Sequence, residues 1–169
     1  MECFICGQEM SCSIEMYHYK ECGLDNVYLV NVEVCRCPGC NEKVVSIPAL
    51  PALNTAIGED LLQKESRLNG KEIRFLRKNM GMKSVDLQRY LGVDNATISR
   101  WESGKQKISL PNDRLLRVVY AHMKGIPTDR ITSLVRDGFV QIKPKEMVSR
   151  LYRIDINSIC PLYQLPALQ

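Results

Sequence analysis

The chain has 169 residues, of which 45% are hydrophobic and 25% charged, with a net charge of +4. This length suits one ordinary domain or two small ones, and the composition is that of a globular protein. No apolar run approaches the roughly 20 residues of a membrane helix, and the start "MECFICGQEM" lacks the regions of a signal peptide. A cytoplasmic protein is therefore expected, and its eight cysteines favour metal or redox chemistry over disulfides.

The charge is divided unevenly along the chain. Residues 1–70 carry five Lys or Arg and ten Asp or Glu, for a charge of −5. Residues 71–169 carry eighteen basic and nine acidic residues, for a charge of +9. An acidic first part and a basic second part are typical of a protein that binds two different partners. Charged residues that only face solvent in both parts would give the same charge distribution.

The front part of the sequence predicts strands. "NVYLVNVEV" (Asn26–Val34) is rich in β-branched residues and places Val30, Val32 and Val34 on one face. "EKVVSI" (Glu42–Ile47) is a candidate partner strand, and "GLDN" before the first strand is turn chemistry. Because the prolines of "IPALPAL" mark the edge of this part, residues 1–50 are predicted to form a small β-rich domain.

The back part predicts helices. Residues 51–70 form a linker with a helix from about Thr55 to Leu68, which ends at Asn69-Gly70. From Lys71 onward, apolar pairs recur at three or four residues and are separated by glycines and prolines, which predicts about five short helices. The predicted fold is therefore α+β with two domains: the front domain, which is stapled by a metal, and an all-α domain over residues 71–125.

Residues 126–169 are predicted to be a C-terminal extension. It contains a helix near Thr128–Arg136, a short extended "FVQIK" and another helix after Pro144. Its tail "ICPLYQLPAL" is apolar, so it either packs on its own domain or covers a partner chain. The extension is thus a candidate for dimerisation.

Two CxxC pairs, Cys3/Cys6 and Cys37/Cys40, are separated by thirty residues. Each CxxC turn lets two thiolates meet one ion, and two such turns complete the tetrahedral S4 set that suits Zn²⁺. A dithiol switch is the main rival, but it needs a βαβ context that the front part lacks. Four thiolates leave no open position for catalysis, so the prediction is one structural zinc ion per chain, which a domain this small requires.

The other cysteines have no obvious partner in the sequence. Cys35 is left over beside the second pair, and on an extended strand it can point to the same side as Cys37 and substitute as a ligand. Cys12, Cys22 and Cys160 are interpreted as buried small hydrophobic residues.

The most informative stretch is "GMKSVDLQRYLGVDNATISRWESGKQ" (Gly81–Gln106). Ser84 can cap a first helix, Gly92 permits a tight turn, and Asp94 or Asn95 can cap a second helix that ends at Gly104. Two short helices joined by a glycine-containing turn, after an amphipathic helix at Lys71–Met80, are typical of a helix-turn-helix.

The second helix presents a defined outer face. With Ile98 and Trp101 facing inward, the residues near the outer side are of the types that contact base edges in the major groove: Asn95, Ala96, Thr97 and Arg100. Lys105 and Lys107 follow this helix where phosphates should lie, although solvated turn residues account for them equally. Glu102 is expected to bond a nearby basic side chain or the backbone.

The segment "LGVDNATISRWESGK" resembles the signature of the Cro/C1 (XRE-type) helix-turn-helix family. Together with the two CxxC pairs, residues 1–124 resemble the MqsA/YgiT family of two-domain antitoxin-like regulators. The resemblance implies a homodimer that binds a palindrome in double-stranded DNA, and in some members a zinc domain that binds a toxin ribonuclease. Arg100 carries over directly, whereas Ala96 stands where the family has Asn, and Ser84 stands at the helix start where Gln is common.

The sequence therefore predicts a DNA-binding repressor that is the antitoxin of a toxin–antitoxin pair and binds its own promoter. The alternatives are a plain regulator without a toxin, and a protein-interaction adaptor that has lost DNA binding. No enzymatic activity is expected, because no nucleophile–base pair or open metal site is visible.

Overall fold

The computed structural model describes residues 1–139, 142 and 151–159. The chain forms two compact units, of which the first contains Met1–Lys20, Asp25–Leu53 and the described residues 151–159. The second contains Glu21–Leu24 and the described part of 54–150. Within the described residues, no helix is both long enough and apolar enough to cross a membrane.

The first unit is built on a four-stranded sheet around a long central strand. The strands are β1 (Ser11–His18), β2 (Val27–Arg36), β3 (Lys43–Ser46) and β4 (Tyr152–Asp155). β2 pairs antiparallel with β1 and β3 and parallel with β4. The sequence predicted β2 and its pairing with β3. It did not predict β1, whose side chains are mostly exposed, or β4, which comes from the far end of the chain.

A bulge in β2 changes which side chains of the strand face inward. Asn31 has a left-handed backbone with φ of 62°, a conformation that Asn tolerates better than most residues. The buried positions are Val27 and Leu29 before the bulge and Val32, Val34 and Cys35 after it. The prediction that Val30 shares a face with Val32 and Val34 is therefore wrong. The bulge adds one residue, so the alternation of inward and outward side chains changes phase between Val30 and Val32.

The C-terminal segment completes this sheet. The backbone N–H of Tyr152 donates to the carbonyl of Asn26 at 2.9 Å, and the side chains of Tyr152 and Ile156 are buried. The predicted helix after Pro144, most of "FVQIK" and the tail with Cys160 lie outside the described residues.

Seven helices occur in the described part of the chain, against the five expected for the helical domain. They are α1 (Leu50–Leu62), α2 (Gly70–Asn79), α3 (Ser84–Leu91), α4 (Asn95–Glu102), α5 (Leu110–Met123), α6 (Thr128–Ser133) and α7 (Ile156–Ile159). A π-helical turn, Leu134–Gly138, follows α6. α1 and the four-residue α7 account for the difference in number.

The segment Asn69-Gly70 starts a helix rather than ending one. Asn69 caps α2, since its side chain accepts from the Glu72 backbone N–H at 3.0 Å while the Glu72 carboxylate accepts from the Asn69 N–H at 2.8 Å. This reciprocal capping box satisfies two N–H groups at the helix start. α1 ends earlier than expected, at Leu62, and Leu68 is buried in the irregular connector between the helices.

A buried arginine fixes this connector. Arg117 on α5 donates from Nε to Asp113 Oδ2 at 2.9 Å, and Asp113 Oδ1 accepts from the Leu68 N–H at 2.7 Å. Its other guanidinium nitrogens donate to three connector carbonyls, those of Leu62 at 2.9 Å, Lys64 at 2.7 Å and Ser66 at 2.8 Å. Because the guanidinium donates to three carbonyls at once, the connector holds a defined path into α2.

Candidate metal centre and nucleic-acid interface

The two CxxC segments fold into similar turns. In the first, the Gly7 N–H donates to the Cys3 carbonyl at 2.9 Å, and in the second the Asn41 N–H donates to the Cys37 carbonyl at 3.0 Å. Gly7 and Asn41 both have a left-handed backbone, with φ of 74° and 60°. This conformation reverses the chain after each pair, so both cysteines of a pair face the same point.

The two turns bring the four cysteines of the CxxC pairs together. Sγ of Cys3 lies 3.5 Å from Sγ of Cys40, Sγ of Cys6 lies 3.3 Å from Sγ of Cys37, and all four sulfurs lie within 4.8 Å of one another. A tetrahedral ion with metal–sulfur bonds of about 2.3 Å requires sulfur–sulfur separations of about 3.8 Å. The observed cluster therefore fits one tetrahedral metal ion.

The surroundings of the four sulfurs lower the pKa of Cys37 and raise the pKa of Cys40. The backbone N–H of Cys40 stabilises the Cys37 thiolate and holds the pKa of Cys37 at about 6. Although the Glu42 backbone lowers the pKa of Cys40, the hydrogen bond with Cys3 and partial desolvation of the sulfur raise that pKa to about 12. Close thiolates oppose one another's ionisation, and a bound divalent cation would remove that conflict by holding all four deprotonated.

A disulfide joins Cys12 and Cys35, which the sequence did not predict. The two residues are directly opposite each other on β1 and β2, and their sulfurs are bonded. Cys12 is exposed, so its interpretation as a buried small residue is wrong. Cys35 packs with Cys3 and Cys37, on the side expected, but its sulfur is bonded to Cys12 rather than available as a ligand.

Cys22, interpreted as a buried small residue, is half-buried in a short 3-10 turn.

The helix-turn-helix is formed by α3, a tight turn and α4. Gly92 ends α3 with a left-handed backbone, φ of 64°, and its N–H donates to the Gln88 carbonyl at 2.9 Å. Asp94 caps α4 by accepting from the Thr97 N–H at 2.6 Å, and this bond holds the pKa of Asp94 below its usual range. The expected role of Ser84 as a cap is wrong, because Ser84 is the first residue of α3 and Lys83 precedes it as the N-cap.

The inner face of the motif is apolar. Leu87 of α3 and Ile98 and Trp101 of α4 are at most 2% exposed. Trp101 is therefore a core residue rather than a base-stacking one, as expected. Burial of this face fixes the rotation of α4 and determines which of its side chains point outward.

The outer face of α4 contains three of the predicted DNA-binding residues. Asn95, Ala96 and Arg100 are exposed, and Arg100 lies one helical turn after Ala96, so the two share a face. Thr97 is half-buried and its hydroxyl donates to Asp94 Oδ2 at 3.1 Å, which engages it in the cap. Ser84 is half-buried at the start of α3, and Lys105 is exposed in the loop after α4.

One exposed residue on this face was not singled out from the sequence. Ser99 is exposed and lies one turn after Asn95, so it borders the same surface. Its spacing of four residues from Asn95 is the sequence signal that could have placed Ser99 on this face.

A salt bridge joins α4 to α2. Glu102, at the end of α4, accepts from Arg77 Nη2 at 2.9 Å and from Arg74 Nε at 3.3 Å. Arg77 also donates from Nη1 to the Met82 carbonyl at 2.9 Å, in the loop before α3. Glu102 was expected to bond a nearby basic side chain, and it bonds both Arg74 and Arg77. Arg77 alone links α2 to the loop before α3 and to α4.

Comparison with known proteins identifies the same segment. Residues 73–112 match the family model described as Helix-turn-helix, a span that runs from α2 into the start of α5. The match supports the Cro/C1-type part of the resemblance and supports a DNA-binding regulator. No curated protein and no solved structure matches the chain.

Proposed function

We propose that this protein is a sequence-specific transcriptional repressor whose second unit reads DNA and whose first unit is stapled by zinc. The observation that carries the proposal is the outer face of α4, which presents Asn95, Ala96 and Arg100 while its inner face is buried. That helix lies within the segment that matches the helix-turn-helix family.

In the proposed complex, α4 enters the major groove. Arg100 donates two hydrogen bonds to a guanine, Asn95 pairs with an adenine, and the methyl groups of Ala96 and Thr97 contact thymine methyls. Ser84 at the start of α3 and Lys105 after α4 contact phosphates, which position the helix without reading sequence. Because one such helix reads few bases, we propose a homodimer on a palindromic operator in the protein's own promoter.

Zinc is the proposed metal of the four-cysteine cluster. Cys3, Cys6, Cys37 and Cys40 are all sulfur donors with tetrahedral spacing, the set that structural zinc sites use. When bound, the ion would supply folding energy to the first unit rather than chemistry, since four thiolates close its coordination shell. We therefore propose that the protein is not an enzyme.

A specific observation favours the antitoxin version of this function. Phe4 and Ile5 lie between the two cysteines of the first turn and are 84% and 71% exposed. Exposed apolar side chains next to each other on a rigid turn are typical of a protein-binding surface. Residues 1–70 carry a charge of −5, which suits a basic partner such as a ribonuclease toxin.

The DNA-binding proposal is tested by titrating the purified chain against its own upstream region at two salt concentrations. Arg100→Ala should weaken specific binding by about 1–3 kcal/mol, and higher salt should weaken it steeply. Arg136→Ala is the matched control, since Arg136 is an exposed arginine outside residues 73–112. If Arg100→Ala weakened binding equally on operator and random DNA, Arg100 would not read bases. If the chain showed no salt-sensitive binding to duplex DNA, a protein-interaction adaptor would be favoured.

The antitoxin version is tested separately, with the product of any small neighbouring reading frame in a pull-down. Phe4→Asp should abolish capture while DNA binding remains unchanged. Val135→Asp, at another exposed apolar residue in the second unit, serves as the control and should capture normally. If Phe4→Asp still captured the neighbouring protein, the surface of Phe4 and Ile5 would not be the toxin-binding site. If the unaltered chain did not bind that protein, the plain regulator without a toxin would be the remaining hypothesis.

A further inference from the structure

The first unit contains a second group of metal-binding side chains, apart from the four cysteines of the CxxC pairs. The sulfurs of Cys12 and Cys35 and a carboxylate oxygen of Glu33 all lie within 4.8 Å of one another. This group shares no residue with the four-cysteine cluster. Thiolate sulfur and carboxylate oxygen are both donors that Zn²⁺ accepts, so the three side chains are candidates for a metal site of their own.

The pairing of β1 with β2 places the three side chains on one face of the sheet. Cys12 is directly opposite Cys35, and Ile14 is directly opposite Glu33. Because side chains alternate along a strand, Glu33 and Cys35 project to the same face. The register is regular from Ser11 to Glu15, so two paired strands rather than a loop set the spacing of the donors.

The Glu33 carboxylate can bind a cation without giving up an ion pair. Arg36, the nearest basic residue along the chain, pairs with Glu15, Nη2 to Oε1 at 2.6 Å. Arg36 follows Cys35 directly, so the alternation directs its side chain to the other face of β2. Among the residues that the structure describes, none forms an ion pair with Glu33.

The site is accessible to reagents from the side of β1. Cys12 is exposed and Glu33 is half-buried. Cys35 is only 4% exposed and packs with Cys3 and Cys37. A reductant or a metal ion from solvent therefore reaches this group at Cys12.

We propose that Cys12, Cys35 and Glu33 bind a second zinc ion when the disulfide between the two cysteines is reduced. A dithiol reductant breaks the S–S bond and becomes a disulfide itself, and its two protons pass to the two cysteine sulfurs. Zn²⁺ then displaces both protons and forms two Zn–S bonds and one Zn–O bond, with water as the fourth ligand. The ion joins β1 to β2 at the point where the disulfide joins them.

The experiment counts the zinc bound to the full chain before and after reduction. The protein is dialysed to equilibrium against micromolar Zn²⁺ without oxygen, and bound zinc is measured by elemental analysis. The reductant is a water-soluble phosphine, which is oxidised to its oxide and has no thiol that competes for zinc. Thiol titration verifies that the disulfide has been reduced. Reduction should add one zinc ion per chain, and re-oxidation to the disulfide should remove it.

Two variants and two controls assign the additional ion to this site. Cys12→Ser should abolish the additional ion. Glu33→Gln keeps both cysteines and should weaken binding of that ion by at least about tenfold, since loss of even an outer-shell partner costs about 10–100-fold in metal affinity. Cys22→Ser and Glu9→Gln are the matched controls, because both residues lie outside the two metal-binding groups. Both controls should bind the additional ion normally.

The results that overturn the proposal are distinct. If a chain shown to be reduced bound no additional zinc, the second site would not exist. If Cys12→Ser still bound the additional ion, that ion would lie elsewhere. If Glu33→Gln and Glu9→Gln bound it equally well, the carboxylate would not be a ligand and the proposed donor set would be wrong.

This inference goes beyond the proposed function and does not depend on it, because the measured quantity is the change in zinc content on reduction. If the oxidised chain bound no zinc, the proposed zinc site of the four-cysteine cluster would fail. A gain of one ion on reduction, lost in Cys12→Ser, would still support the second site.

Discussion

Arg77 Nη2 donates to Glu102 Oε2 at 2.9 Å, with the two side chains only 13% and 7% exposed, so α2, which precedes the helix-turn-helix, is joined to the end of α4. Glu102 also raises the pKa of Arg77, through the hydrogen bond between them first and its charge second, so the pair stays ionised. Because both groups are largely removed from water, replacing one leaves the other poorly compensated.

We predict that Glu102→Ala lowers the free energy of unfolding of the second unit by about 2 kcal/mol, between the values for exposed and fully buried pairs. Urea unfolding followed by the fluorescence of Trp101, the one tryptophan of the chain, measures the effect directly. Glu59→Ala is the control, since its pair with Arg130 is 32% and 56% exposed. Equal effects of the two substitutions would show that burial of the Arg77 pair contributes nothing.

A second prediction concerns Gly70, the first residue of α2. A Cβ at this position would lie 2.5 Å from the Trp101 carbonyl oxygen and 2.6 Å from that of Glu102, both backbone atoms of α4. Helix propensity favours alanine over glycine by about 1 kcal/mol, but the overlap requires α2 and α4 to separate. We expect Gly70→Ala to destabilise the unit by about 1–3 kcal/mol, the usual cost of overpacking.

Lys78→Ala is the control for Gly70, because Lys78 is an exposed residue of the same helix. It should change the unfolding free energy by less than about 0.5 kcal/mol in either direction. The same Trp101 fluorescence assay applies to both variants. A Gly70→Ala protein that is more stable than the original would mean that propensity outweighs the contact with α4.

The signals that predicted the helix-turn-helix are local in sequence, and that is why they succeeded. Gly92 and the Asp94 cap each act within four residues, so their roles can be recognised without knowing the fold. The cysteine turns were predicted for the same reason, since each depends on a spacing of three residues.

Several of the features that were missed depend on contacts between distant residues. Cys12 and Cys35 are 23 residues apart, and nothing in the sequence states that β1 lies opposite β2. The pairing of β4 with β2 joins segments more than 120 residues apart, and Arg117 appears in the sequence as one more surface cation. The bulge at Asn31 was missed because alternation of β-branched residues does not reveal a change of phase.

A third prediction is that the metal and the fold of the first unit are coupled. Cys37→Ser removes one of four ligands, so the ion should be lost and the β-sheet signal in circular dichroism should fall. The unfolding transition reported by Trp101 in the second unit should be retained, which distinguishes local loss of the first unit from general misfolding. Treatment of the unaltered chain with a chelator should reproduce the result.

Cys22→Ser is the control for this experiment, since Cys22 lies outside the four-cysteine cluster. It should retain one metal ion per chain by elemental analysis, together with the full β-sheet signal. A Cys37→Ser protein that keeps its sheet without metal would show that the four cysteines are not the staple of this unit.

The disulfide gives the last prediction, because it conflicts with the expectation that the cysteines of this chain favour metal or redox chemistry over disulfides. The chain has eight cysteines, of which the Cys12–Cys35 bond occupies two. Thiol titration of the denatured protein with chelator present should therefore find six reactive thiols, and eight after reduction.

Closing a 23-residue separation should stabilise the first unit by about 3 kcal/mol, so reduction should lower its unfolding free energy by that amount. Cys12→Ser should show the lower stability with or without reductant. Eight reactive thiols before reduction would instead establish a free dithiol on β1 and β2, and the pair would then contribute no loop closure to this unit.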